Sequence, residues 1–213
     1  MNSAVYQFNR DHLLSISLTP ISCESDFSEV RNLRFDGYKG VFRSPDEASD
    51  EIDTCPNATV LLARDSHESP IGTVRVVDSS AGSIELDSLN PSYKDAINNK
   101  SIVEGSRLVA VKNSYVPQRT IQVALWKAVL DFATFKKAEK IIVWAKRGPD
   151  KGYKFLQFDH LENCGFEHPT LANAHYEVYA LDIRKAEVLA KRTNHPLYDF
   201  FFTETYDNLI WYQ

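Results

Sequence analysis

Apolar positions along the chain change period several times, and each change marks a predicted element. Residues 13–21 (LLSISLTPI) alternate apolar and polar positions and predict a half-buried strand. Residues 26–38 (DFSEVRNLRFDGY) follow with Asp26 as cap, Phe27, Val30 and Leu33 at helical spacing, and the Arg34 stem extending the stripe, which predicts a first helix. Residues 59–63 and 71–77 are β-rich runs joined by the polar turn 64–70, so they should pair as an antiparallel hairpin. A further strand is expected over 102–111 (IVEGSRLVAV). After Pro117 comes the strongest helical pattern in the chain. Ile121, Leu125, Ala128, Val129, Phe132 and Phe135 form one apolar stripe while Gln122, Lys127, Asp131 and Thr134 fall off it, so this helix should pack on a sheet. A strand over 140–145, a shorter helix over 150–163 and an alternating strand over 176–183 complete the pattern. With no internal repeat and no low-complexity linker, the class is α/β (α+β). The reading is one domain over 1–213 with an aromatic C-terminal extension, 184–213.

Composition narrows the picture without naming a chemistry. At 213 residues and 43% hydrophobic content, the chain can bury one sizeable core. Its 25% charged and 12% aromatic residues exclude a disordered or fibrous class. No run approaches the roughly 20 apolar residues of a spanning helix. Arg10, Asp11 and His12 stand where a secretory signal carries its apolar core, which points to the cytoplasm. Cys23, Cys55 and Cys164 form no CxxC pair, and the six histidines share no helix or strand face, so neither a disulfide framework nor a metal site is expected. The net charge of −5 argues against nucleic acid as a partner. Residues 127–154 reverse that sign, holding eight Lys/Arg against three Asp/Glu for a net +5, which leaves −10 on the rest of the chain.

Several scattered residues then form a recognisable set: Arg34 and Tyr38 in the first helix, Asp50 and Asp53 before PNATVLLA, Gly72-Thr73-Val74-Arg75, Glu104-Gly105-Ser106-Arg107, and Asn163-Cys164-Gly165-Phe166. Over about residues 26–182 this set and the element order resemble the GNAT-fold N-acyl amino acid synthases and the related acyl-homoserine-lactone (autoinducer) synthases. The resemblance implies a central mixed, mostly antiparallel twisted sheet flanked by helices. It also implies transfer of a long-chain fatty acyl group to the amine of an amino acid or related metabolite. No cofactor would be bound permanently; the donor would be the acyl-phosphopantetheine of an acyl carrier protein, or acyl-CoA. The helix start Gln118-Arg119-Thr120-Ile121-Gln122-Val123-Ala124 lacks the glycines with which acetyl-CoA users of the fold cradle a pyrophosphate at a helix N-terminus. That departure favours the carrier protein, and because such carriers are acidic the basic segment, with Lys136, Lys137, Lys140, Lys146, Arg147 and Lys151, becomes the candidate docking surface.

Acyl transfer from a thioester to an amine needs a deprotonated amine, donors for the developing oxyanion, and exclusion of water. By resemblance, the backbone over 108–111, that is Leu108, Val109 and Val111 with the residue between them, supplies the oxyanion donor, Glu104 serves the proton path, and Arg107 joins a charged network. Glu104 and Arg107 are three apart on a strand, so alternation sends them to opposite faces and keeps them out of one core layer. Arg34, Arg75 and Arg107 with Asp50 and Asp53 would make a partly buried frame beside Tyr38 at the acceptor site. Gly165 would allow a positive φ as the chain leaves its helix. Cys164 has no local His or Asn pattern to make it a nucleophile. The tail HPLYDFFFTETYDNLIWY, with Tyr198, Phe202, Leu209 and Trp211 at partial helical spacing, has three readings: docking on the core, closing an acyl tunnel, or peripheral membrane contact. Two alternatives to the main reading stay open: an acyl-homoserine-lactone synthase taking S-adenosylmethionine, and a non-catalytic acyl- or carrier-binding module.

Overall fold

The computed structural model describes residues 10–112, 115–146, 148, 151–171, 174–205 and 208. Helix α1 (Arg10–Leu14) leads into β1 (Ser17–Pro20), α2 (Glu24–Gly37), two short 3-10 turns (Pro45–Ala48 and Glu51–Thr54), and the hairpin β2 (Ala58–Arg64) and β3 (Pro70–Asp78). After α3 (Glu85–Leu89) and α4 (Tyr93–Ala96) come β4 (Ile102–Ala110), α5 (Gln118–Phe135), β5 (Lys140–Lys146) and α6 (Lys151–Phe155). The short strands β6 (Asp159–His160) and β7 (Phe166–Glu167), then β8 (His175–Asp182) and α7 (Ile183–Arg192), end on a single-turn π-helix, Asp199–Thr203. The strands form one sheet in the order β1-β2-β3-β4-β5-β8-β6, with β7 also on β8. Among the described strands only β4 and β5 run parallel; the other pairs are antiparallel.

Alternation along β2 to β5 sends side chains to two covered faces. Helix α5 lies on one, where Ile121, Leu125, Ala128, Val129 and Phe132 pack on Val74, Val76, Val103 and Val143. Burying each larger side chain of this stripe stabilises the fold by roughly 1.5–3 kcal/mol. On the other face α3 and α4 contribute Leu86 and Tyr93 to a cluster with Val77, Ile142 and Trp144, and α2 sets Val30 and Leu33 on Val60 and Leu62.

Several sequence expectations are corrected. The expected strand over 13–21 begins as helix α1, and only Ser17–Pro20 is extended. Leu13 and Ile16 are both buried, a three-residue spacing that the alternating reading missed. Helix α2 starts two residues early at Glu24, with Cys23 as its cap, and Asp26 instead accepts from the Ser22 amide at 3.1 Å. On α5 two positions depart from the expected stripe. Phe135 is 61% exposed, whereas Lys127 is buried and donates to Asp131 (2.7 Å) and to the Phe201 carbonyl (3.2 Å). The expected helix over 150–163 has five residues, Lys151–Phe155, because Gln157 takes a positive φ of 65° and the chain then joins β8 through β6; Asp150 lies outside the described residues. Near Gly165 the positive φ belongs to Asn163 (62°). Gly165 meets a different need, since a Cβ there would stand 2.5 Å from His175 Nε2.

Candidate active site

The site is built where β4 and β5 part. They pair only from Ile102 and Lys140 to Gly105 and Val143, although β4 continues to Ala110 and β5 to Lys146. The cause lies on the other side of β4. Arg75 pairs with Ser106 and Thr73 with Val109, so β4 carries one residue more than β3 across this stretch. Arg107 sits in that bulge with φ at 54°, a left-handed conformation that costs a side-chain-bearing residue roughly 1–2 kcal/mol. A bulge bends and twists its strand. Strand β4 therefore curls from β5 and leaves a bare backbone edge in the fork.

Hydrogen bonds show which groups face that edge. The Val111 N–H donates to Ile71 O at 3.0 Å, and the Ala110 carbonyl, pointing the opposite way, accepts from Gln118 Nε2 at 2.5 Å. Backbone groups alternate sides along a strand, so the Ala110 N–H faces the fork while that of Val109 turns with Val111 toward β3. Of the expected oxyanion donors, Val111 is thus committed to the sheet and Val109 points into it. Leu108 and Ala110 remain on the open edge. Two cavities flank it, sharing Leu108 and Gln122. The first, of about 650 Å³, lies between β4 and the end of α2 at Gly37, Tyr38 and Lys39. Gly37 permits this approach, since a Cβ there would stand 2.5 Å from Val109 Cγ1. The second, of about 550 Å³, is lined by Val123, Trp126, Tyr153, Phe155 and Leu156, with Arg119 and Lys151 also in its wall.

On the α3 face of β3 and β4 stands a buried ionic frame. Arg34 grips Asp53 with both terminal nitrogens (2.6 and 3.0 Å). Arg75 reaches Asp50 (2.5 Å), Asp53 (3.3 Å), the Ser106 hydroxyl (3.1 Å) and Glu85. Arg107 bonds Asp50 (2.8 Å) and Glu85 (3.0 Å). The five residues expected to form a frame do come together, and Arg107 joins them because the bulge overrides strand alternation. Glu104 and Arg107, expected on opposite faces, are both buried beside the same carboxylate, Glu85. Sequence reasoning missed Glu85 and His168. The His168 Nδ1 accepts from the Leu171 and Thr170 amides, both at 3.2 Å, which leaves Nε2–H to face Glu85 at 3.4 Å. Neither residue sits in a periodic pattern, and the one local signal was an acidic residue opening a short helix after Ser83 and Ile84.

Charge balance explains the protonation of the frame. Three guanidiniums face Asp50, Asp53 and Glu85. Burial works to raise Asp53 and Glu85, but Arg34 on the first, and His168, Arg107 and Arg75 on the second, override it and hold each at about 2. Glu104 is a fourth carboxylate in a frame already neutral. Burial, then the charge of Glu85, pushes it up to about 7 against the pull of Arg75. Its Oε2 accepts the Leu86 amide at 2.9 Å, and its buried Oε1 has no partner among the described residues. Burial likewise raises the hydroxyls of Tyr38 and Tyr153, keeping both protonated. Arg107 Nε and Trp144 Nε1 are buried donors without a partner among the described residues. Both lie by His168, Arg107 through Glu85 and Trp144 through ring packing at 5.3 Å.

Solved structures share this architecture. An N-acyl amino acid synthase from uncultured soil microbes, FeeM, superposes with a TM-score of 0.68 at 16% identity, covering 84% of this chain and 96% of its own. The CoA-dependent acyl-homoserine lactone synthase BjaI gives 0.57 at 19% identity, over 85% and 90%. An aminoglycoside 6'-acetyltransferase type Ii gives 0.53 at 11% identity, over 78% and 96%. The chain has the GNAT fold. At the level of sequence, no protein-family model and no curated protein matches it.

Within the GNAT fold the basic segment splits in two. Lys136, Lys137 and Lys140 gather where α5 ends and β5 begins, with Lys136 near Asp78 (3.7 Å) and Lys140 paired to Asp182 (3.3 Å). Lys146 ends β5 and Lys151 begins α6, at the open end of the fork. Six residue steps of extended β5 separate Lys140 from Lys146, about 20 Å. Arg147 lies outside the described residues. Cys164 is buried with a raised pKa, an unreactive thiol. In the tail, Leu197 and Phe201 are buried on the α5 face, and the Leu18 amide donates to Asn208 O at 3.0 Å; Leu209 and Trp211 lie outside the described residues. No described helix is long and apolar enough to cross a membrane.

Proposed function

We propose that this chain is an N-acyltransferase that moves a long-chain fatty acyl group from the phosphopantetheine arm of an acyl carrier protein to the amine of an amino acid. The observation that carries this reading is the fork itself: a bare β4 edge at Leu108 and Ala110 between two cavities, with a buried ionic frame on one side. The thioester arm lies in the fork with its carbonyl oxygen toward the Ala110 and Leu108 N–H groups. The amine attacks that carbonyl, and the oxyanion is held by backbone donors, each typically contributing about 3 kcal/mol to the transition state. Glu104, poised near 7, takes the amine's proton through one bridging water to Oε1. Collapse expels the thiolate. The Tyr153 hydroxyl in the wall of the second cavity, kept protonated by burial, donates a hydrogen bond to the departing sulfur, and the proton taken by Glu104 passes through the bridging water to the thiolate. Arg107 Nε and Trp144 Nε1, two N–H donors in want of an acceptor, suit the carboxylate of an amino acid. Arg34, Tyr38, Asp50, Asp53 and Arg75 hold that side in shape rather than touch the reacting atoms.

The carrier protein is favoured as donor by the absence of glycine over residues 118–124, where a pyrophosphate would need close backbone approach, and by Lys146 and Lys151 at the open end of the fork. Mass spectrometry of lipids from cells expressing the chain tests the reading. An N-acyl amino acid that disappears with Glu104→Gln is the expected product. An acyl lactone would move the acceptor to S-adenosylmethionine, and no new lipid in any extract would leave a binding module.

A further inference from the structure

The half of the basic segment at the closed end of the fork adjoins a second basic surface. In the turn after α5, the Glu139 carbonyl accepts the N–H of Ile183, the first residue of α7 (3.2 Å), and Lys140 pairs with the α7 cap Asp182. The end of α5, with Phe135 and Lys137 exposed, thus abuts the start of α7. Helix α7 buries Ala186 and Ala190 against the core of the α5 face. At about 100° per residue, the side opposite those two is centred on Val188, which is 67% exposed. Arg184 and Arg192 flank it, Lys185 and Lys191 stand just beyond, and the one carboxylate of the helix, Glu187, falls at the edge of this face. Two features separate the face from an ordinary solvated one. A helix N-terminus carries partial positive charge and disfavours cations, yet Arg184 and Lys185 occupy the first turn of α7 and no acidic residue does. Four residues on, where a carboxylate would relieve each of them, both meet carbon, at Val188 and Leu189.

We propose that the outward face of α7, extended by Phe135 and Lys137, docks the protein on a bilayer surface rich in anionic phospholipid. The cations lie in the phosphate layer, and Val188, Leu189 and Phe135 enter the headgroup region between them. The face suits a plane, because Arg184, Val188 and Arg192 follow one another at four-residue steps along about 12 Å of helix. It also runs against the charge of the chain. With a net −5 overall, the other surfaces are turned away from the same bilayer, which fixes the orientation of approach. A nucleic acid would meet the cations but leave the apolar side chains among them in water. The inference stands apart from the N-acyltransferase reading, since it needs no turnover.

Sedimentation with vesicles tests the surface on the full chain. Vesicles of phosphatidylcholine and phosphatidylglycerol in equal parts should carry the protein down at low salt, and phosphatidylcholine alone should not. Each cation adds about fivefold to such binding, and the gain fades as salt is raised. Replacing Arg184 and Lys185 together by Gln should therefore weaken it by about 25-fold. Val188→Asp, which changes one apolar side chain and removes no cation, should weaken it by about tenfold. All three side chains are exposed, so both variants should melt with the wild type. Failure of the wild-type chain to bind the mixed vesicles, or binding that neither variant weakens, overturns the inference. A loss of carrier-dependent transfer in the Arg184 and Lys185 variant with no vesicles present also overturns it, by giving α7 to the carrier protein. Vesicle binding lost in both variants, from a chain that transfers no acyl group at all, would sustain the inference without the transferase reading.

Discussion

The two sides of the fork are made of opposite materials. On the α3 face, Arg34, Arg75, Arg107, Asp50, Asp53 and Glu85 are locked by hydrogen bonds at 2.5–3.3 Å and several are fully buried. On the α5 face, Val123, Trp126, Phe155 and Leu156 enclose their cavity through non-directional contacts. The charged side is brittle, because removing one member strands another charge without water to solvate it. The apolar side is plastic, since it asks only for the right volume. Such a division suits a reaction in which a small polar acceptor must be oriented to within a fraction of an ångström while an alkyl chain need only be accommodated.

The largest expected effect comes from breaking the brittle side. Arg75→Met leaves Arg107 as the one guanidinium facing both Glu85 and Asp50 and should destabilise the fold by about 3–5 kcal/mol. For a chain of this size that lowers the melting temperature by roughly 10 °C. Leu156→Met on the plastic side should cost less than about 1.5 kcal/mol. Urea unfolding of both proteins measures the contrast, and equal losses would erase the distinction between the two faces.

Next in size is the loss of the base. Glu104→Gln should slow turnover on the order of 100-fold at neutral pH while donor binding survives. Wild-type activity should rise with pH through about 7 as the Glu104 carboxyl ionises, and the variant should lose that limb. Stability should run the other way. Because folding raises this pKa above its unfolded value, the native state holds the extra proton between about 4.5 and 7, and the stability linked to it is present at the acid end and lost as pH rises through 7. Asp53 and Glu85, both lowered to about 2, contribute stability above their unfolded values that is lost as pH falls toward 2. Thermal melts of wild type against Glu104→Gln should diverge between pH 5 and 8, with the variant losing less. Parallel curves would mean that Glu104 ionises as freely folded as unfolded.

How much of this was legible in the sequence follows the same division. The apolar face declares itself through period, and the α5 stripe from Ile121 to Phe132, the hairpin β2–β3 and strand β5 were all readable. Failures there were at ends, as at Phe135, where the stripe ran past the sheet that covers it. The ionic frame was legible only as a set of residues resembling a known family. Glu85, 10 residues after Arg75, and His168, 83 residues after Glu85, belong to it, and no spacing rule connects them to the rest. Arg107 was misplaced for a definite reason. Alternation assumes an unbroken strand, and one residue at φ 54° moves every side chain beyond it to the other face. Lys127 was misplaced because its partner, the Phe201 carbonyl, is a backbone group 74 residues away.

The smallest expected effect separates the two halves of the basic segment. If an acidic carrier delivers its arm into the fork, its charge lies near the open end, where Lys146 and Lys151 are, and about 20 Å from Lys140 along β5. That distance is two Debye lengths or more at physiological salt, so Lys136 and Lys137 should be screened from a carrier docked there. Reversing Lys146 and Lys151 to Glu should lower carrier-dependent transfer several-fold, mostly through the association rate, and flatten its dependence on salt. Reversing Lys136 and Lys137 should change it less than about twofold, the Lys136 ammonium being engaged by Asp78 and the Phe132 and Phe135 rings. Steady-state rates against ionic strength, with the acyl chain on a carrier protein and then on coenzyme A, make the comparison. A larger loss from the Lys136 and Lys137 pair would put the carrier at the other end of α5, and the donor would then have to reach the thioester site from the closed side of the fork, where β4 and β5 are still hydrogen-bonded.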